Sequence, residues 1–131
     1  MEGEERLGKL IYPGLSYTVN GILFNVHNTL GGGHKEKYYQ KAVAAGLSFK
    51  NIKFEEQYYV PLKCYNKTIG KYYLDFLIDD KIVLEIKRGK YLSIGAINQT
   101  KEYLQALNLK LAIFACFAHD CVVIKRIINE Y

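Results

Sequence analysis

The sequence predicts an α/β fold, a mixed central β-sheet flanked by helices in the chain order ααβββαββ. Three changes of pattern along the chain predict it. Apolar residues recur at helical spacing up to about Gly46, alternate through three β-rich runs, turn helical again after Gly95, and end in two short apolar runs. At 131 residues, half of them hydrophobic, the chain is long enough to bury a core without disulfides.

Each element follows from local chemistry. Ser16 is placed to cap a first helix carrying Val19, Ile22, Leu23, Val26 and Leu30 on one face, and Gly31-Gly32-Gly33 should stop it. A second helix is expected over about 34–46, with Gly46 as terminator. Strands are expected at about 53–65, 71–78 and 81–88, with turns at Asn66 to Gly70 and Asp79-Asp80. A third helix places Ile97, Thr100, Leu104 and Leu107 on one side and ends near Asn108; LAIFACF (111–117) and CVVIKRII (121–128) read as the last strands. No repeat, low-complexity tract or proline-rich linker interrupts the order, so we expect an extension over 1–14 and a single domain over 15–131.

Composition excludes several classes. No apolar run approaches the roughly 20 residues that cross a bilayer, and the acidic start MEGEERLGKLIYPG lacks an apolar signal core, so a cytoplasmic protein without a membrane partner is expected. Three cysteines, an odd number with no CxxC spacing, fit buried thiols better than a disulfide framework; Cys116, His119 and Cys121 lack an evident fourth zinc ligand. The formal charge of +5 allows a polyanionic partner without requiring one.

The informative stretch is KYYLDFLIDDKIVLEIKRGK, residues 71–90. Alternation puts Ile82, Leu84 and Ile86 on one face and Val83, Glu85 and Lys87 on the other; it likewise separates Tyr72, Leu74, Phe76 and Ile78 from Tyr73, Asp75 and Leu77. With Ile78 opposite Ile82 the apolar sets share a face, and Asp75 falls opposite Glu85. Two opposed carboxylates destabilise a strand pair. A hard divalent cation would relieve them, and the plainer alternative is neutralisation by Lys87 at a solvated edge.

Asp75 followed after nine residues by Glu85-Ile86-Lys87 resembles the PD-(D/E)XK nuclease superfamily, without the proline before the aspartate. Gln99 and Tyr103, four apart on the next helix, match the Gln-x-x-x-Tyr motif of its exonuclease-like branch. Gly33-x-x-Glu36-x-x-Tyr39, with Asn25-Val26-His27 and Leu30-Gly31 before it, is similar to the GxxExxY family of that superfamily. The resemblance runs from about Leu15 to Ile128.

The resemblance implies a restriction-endonuclease-like core and Mg2+- or Mn2+-dependent phosphodiester hydrolysis of nucleic acid, with DNA the expected substrate. It implies Asp75, Glu85 and the carbonyl of Ile86 as metal ligands, with Glu36 completing the acidic cluster. It further implies Lys87 as the residue that orients water or stabilises developing charge, Gln99 as a positioning group and Tyr103 as its support. Tyr39 is expected to pack, and His27 to be a hydrogen-bonded structural histidine. Lys35, Lys37, Arg88, Lys90 and Lys101 are candidate phosphate contacts. A homodimer would place two sites on a duplex. A non-catalytic nucleic-acid-binding or protein-interaction module retaining the fold is the alternative.

Overall fold

A computed structural model describes residues 11–129. Residues 1–10, most of the expected N-terminal extension, lie outside the described residues. Helices α1 (Pro13–Leu30) and α2 (Glu36–Phe49) precede strands β1 (Phe54–Cys64), β2 (Lys67–Ile78) and β3 (Ile82–Arg88); α3 (Ile94–Leu107), β4 (Leu111–Phe117) and β5 (Val122–Ile128) follow. The strands form one sheet in the order β1-β2-β3-β4-β5, antiparallel except for β3 and β4, which run parallel because α3 crosses between them. No described helix is long and apolar enough to cross a membrane.

The sheet separates two cores. Val19, Leu23, Tyr39, Val43 and Leu47 of α1 and α2 cover one face, meeting Phe76, Ile78, Ile82, Leu84, Ile86, Ile113 and Phe117. On the other face Tyr103 and Leu104 of α3 meet Leu74, Leu77, Val83, Ala112, Phe114 and Cys116. Burial on both faces explains the unbroken apolar run of β4, every residue of which is buried.

Five local expectations need correction. Cys116 is buried within β4 as expected, but Cys64 at the end of β1 and Cys121 just before β5 are exposed. Ser16 does not cap α1: proline opens the helix, and Ser16 lies buried inside it with its hydroxyl donating to the Ile11 carbonyl at 3.3 Å. Gly46 does not end α2, which runs to Phe49; a Cβ at Gly46 would stand 2.6 Å from Cγ2 of Ile22, so the glycine serves close approach of α1 and α2. The first β-turn is Tyr65-Asn66, both with positive φ (50° and 64°), rather than Asn66 to Gly70; Gly70 lies in β2 opposite Leu62, next to a register shift. Finally, Tyr72 and Leu74 belong to the α3 side with Leu77, whereas Phe76 and Ile78 face α1 and α2. Strict alternation in β2 therefore breaks around Asp75.

The loop Gly31-Gly32-Gly33 does stop α1. Gly31 (φ 72°) donates its N–H to the His27 carbonyl, and Gly32 lies against the β4–β5 turn, where a Cβ would come within 2.6 Å of His119 Cα and O. Because backbone cannot yield as a side-chain tip does, Gly32→Ala is expected to cost about 1–3 kcal/mol in urea denaturation. Gly21→Ala, inside α1 with nothing within 4 Å of the new methyl, should instead be neutral or stabilise by up to about 1 kcal/mol. Equal stability of Gly32→Ala and the parent protein would refute the tight contact.

Candidate active site at the fork of two strands

Strands β2 and β3 pair at Ile78↔Ile82, Leu77↔Val83 and Phe76↔Leu84, the register expected from hydrophobic matching, and the ladder then stops. At the next position side chains replace the backbone acceptors. The Asp75 N–H donates to Glu85 Oε2 at 2.7 Å, and the Ile86 N–H donates to Asp75 Oδ2 at 2.7 Å. Opposite Asp75 on β1, Gln57 takes a left-handed backbone (φ 51°), which fits the switch of faces in β2. The two strands thus form a fork with a carboxylate from each side at its base.

Burial sets the electrostatics. Removal from water and the adjacent Asp75 charge push the Glu85 carboxyl up to about 8. Burial also raises Asp75, with Glu36 adding to the effect, while the Ile86 amide and the Lys87 ammonium oppose it. Lys87 therefore acts on both carboxylates through space, but the lysines in contact-distance ion pairs among the described residues are Lys53 and Lys81, with the turn aspartates. A contact salt bridge does not neutralise the pair.

Glu36 reaches the fork from the other side of the sheet. It opens α2, and its Oε2 accepts the Arg88 N–H at 3.3 Å, at the end of β3. Three residues on, and so on the same side of the helix, Tyr39 is fully buried and stacks on Phe117 with ring centroids 4.2 Å apart. Its hydroxyl donates to the Gly31 carbonyl at 2.7 Å and accepts the His34 N–H at 3.3 Å. Gly33 supplies a positive φ of 86° just ahead of the helix. The Gly33, Glu36, Tyr39 string is therefore one device: a turn, an acid over the end of β3, and an anchor that fixes the helix start. His27, buried, bonds the Ala118 carbonyl through Nε2 at 3.0 Å and adds a second tie between α1 and the end of β4.

Helix α3 closes the remaining side. Ser93 caps it, its Oγ accepting the Ala96 N–H at 3.0 Å, and Asn108 ends it in a left-handed conformation. Tyr103 is buried against Tyr72 of β2, ring centroids 5.1 Å apart, and its hydroxyl is pushed well above the usual phenol range by burial, by Tyr72 and by the Glu85 charge. Gln99, one turn earlier, is half-buried. The structure thus joins the Asp75 and Glu85 segments directly at the fork, with Lys87, Glu36 and Tyr103 within electrostatic reach of one or both carboxylates, while no bond joins Gln99 to that group. The sequence reading overlooked the backbone amides of Asp75 and Ile86; nothing in the chain signals them, because they are freed only when the ladder stops.

A search of curated proteins found no match. Among solved structures the fold is similar to the crystal structure of SSO0001, with a TM-score of 0.55 over 72% of this chain and 17% identity, a likeness of fold alone. The matched region spans about half of that protein (50%). The five-stranded mixed sheet with its flanking helices is a restriction-endonuclease-like core. A family model of the PD-(D/E)XK nuclease superfamily matches residues 13–127, from the first residue of α1 to the penultimate residue of β5, and the chain therefore belongs to that superfamily.

Proposed function

We propose that the chain is a divalent-metal-dependent nuclease that hydrolyses phosphodiester bonds, with DNA as the favoured substrate and the fork of β2 and β3 as its site. One observation carries the reading: two half-buried carboxylates are held against each other at the base of the fork, both displaced toward the protonated form. A purely structural pair has no reason to keep that repulsion, whereas a cation between the carboxylates would relieve it. Members of the superfamily generally use divalent metals, and the Gly33, Glu36, Tyr39 string supports membership of its GxxExxY branch.

The donor set suits Mg2+ or Mn2+. Asp75 and Glu85 each commit one oxygen to a backbone amide and keep acceptor capacity on the rest of the carboxylate. Among the described residues no three His, Cys, Asp or Glu side chains converge to hold an ion, so the third protein ligand would be the Ile86 carbonyl, with Glu36 acting through water. A cation bound there would polarise a phosphoryl oxygen and lower the pKa of a bound water. Lys87 would orient that water or stabilise charge growing on the phosphorane. Gln99 would hold water or phosphate from α3, and Tyr103 would back Glu85 by filling the space behind it.

Magnesium and manganese titrations by calorimetry, followed by incubation with end-labelled single- and double-stranded DNA, test this. Metal binding and cleavage that leaves 5′-phosphate ends are expected. Failure to bind either ion at millimolar concentration would overturn the proposal.

A further inference from the structure

Residues 67–74 of β2 pair with β1 alone, so the far half of the β1–β2 hairpin forms a two-stranded arm beside the fork. Residues 57–74 contain Lys63, Lys67 and Lys71 and no Asp or Glu, although the chain has 13 acidic residues. One side of the arm is buried, Val60, Tyr72 and Leu74 packing with Tyr103 of α3. The opposite side keeps aromatic rings in solvent. Tyr59 and Tyr73 face each other across the strands, their centroids 5.8 Å apart and the residues 46% and 48% exposed. Lys71 Nζ stands 6.0 Å from the Tyr73 ring centroid, and Tyr65 at the tip, 96% exposed, lies between Lys63 and Lys67 in sequence.

We propose that this arm binds single-stranded nucleic acid and leads it to the fork, Tyr59 and Tyr73 stacking bases while Lys63, Lys67 and Lys71 contact phosphates. The proposal rests on reading the fork as a nuclease site. Three cations without an acid select a polyanion. Half-exposed rings beside them select one with free π faces, which a single strand offers and a duplex keeps inside its stack. Position adds a third argument. Tyr73 lies two residues from Asp75, about 7 Å along a strand, so a strand held on the arm passes next to the carboxylates. The lysines also offset the repulsion those carboxylates exert on phosphate.

Fluorescence anisotropy with labelled oligo-dT, oligo-U and a DNA duplex, in EDTA so that no metal-dependent cleavage occurs, tests the arm separately from the fork. Wild-type protein is expected to bind both single strands more tightly than the duplex. The double variant Tyr59→Ala/Tyr73→Ala should weaken single-strand binding by about tenfold or more, and Tyr59→Phe/Tyr73→Phe should restore it. Lys63→Gln/Lys67→Gln/Lys71→Gln, all at exposed positions, should lower the slope of log K against log salt by about 2.

Single-strand binding indifferent to both sets of substitutions, tighter binding of the duplex, or no binding at all would overturn the proposal. Oligo-dT against oligo-U separates DNA from RNA as the source of the strand. The two readings fail differently. Arm-dependent binding without metal-dependent cleavage removes the nuclease reading of the fork, whereas cleavage with binding unaffected by the arm variants removes the arm.

Discussion

Asp75→Asn and Glu85→Gln are each expected to lower metal-dependent cleavage by about 10³-fold or more, the consequence of losing several kcal/mol of transition-state stabilisation. The substitutions are nearly isosteric. Asn at position 75 keeps an amide oxygen that can accept the Ile86 N–H, and Gln at position 85 keeps one for the Asp75 N–H, so the two bonds at the base of the fork have replacements. What disappears is negative charge where it was crowded. Loss of activity should therefore come with loss of Mg2+ binding by calorimetry and with an unchanged or higher unfolding midpoint. Lys87→Met should leave metal binding in place and reduce the rate, because Lys87 acts on the carboxylates without contacting them. A Glu85→Gln protein that cleaves within a factor of ten of the wild type would place the chemistry elsewhere.

How much of this is legible in the sequence depends on whether a feature is set by neighbours along the chain or across space. The register of β2 and β3 was readable because a one-residue slip would turn Ile82, Leu84 and Ile86 away from the apolar set of β2, and the Ile78↔Ile82 pairing is what the structure has. The helix after the fork and its end at Asn108 were readable for the same local reason, Asn being among the residues that most readily adopt the left-handed conformation. Gly46 misled because glycine inside a helix looks like a terminator until a second helix is placed 2.6 Å from its missing methyl. The change of faces around Asp75 was not readable at all. Gln57 carries no sequence signal for a positive φ, and the opening of the ladder depends on carboxylates replacing carbonyls as acceptors. Tyr39 shows an intermediate case: its motif spacing marked it, but its task, fixing the start of α2 and with it Glu36, is visible only through Phe117 and Gly31.

The metal-free protein is expected to lose stability as pH rises from about 5 to 8, the reverse of what a salt-bridged carboxylate would give. In the folded chain Glu85 is raised from 4.5 to about 8, so between those values the folded state holds a proton that the unfolded state has released. Stability then falls with pH across that window, and is greatest where Glu85 is protonated in both states. Asp75, raised as well, contributes with the same sign. The groups that set the effect are Asp75 and Glu36, which favour the protonated pair, and the Lys87 ammonium, which opposes it. Urea unfolding in EDTA at several pH values should show a decline of a few kcal/mol for the wild type and a much flatter profile for Glu85→Gln. Mg2+ should reverse the slope, because a cation that binds only the folded, deprotonated pair stabilises most where the pair has lost its proton. A wild-type profile that is flat or rises between pH 5 and 8 without metal would show that the carboxylates at the fork are already neutralised by the protein. The electrostatic argument for a cation at this site would fall with it.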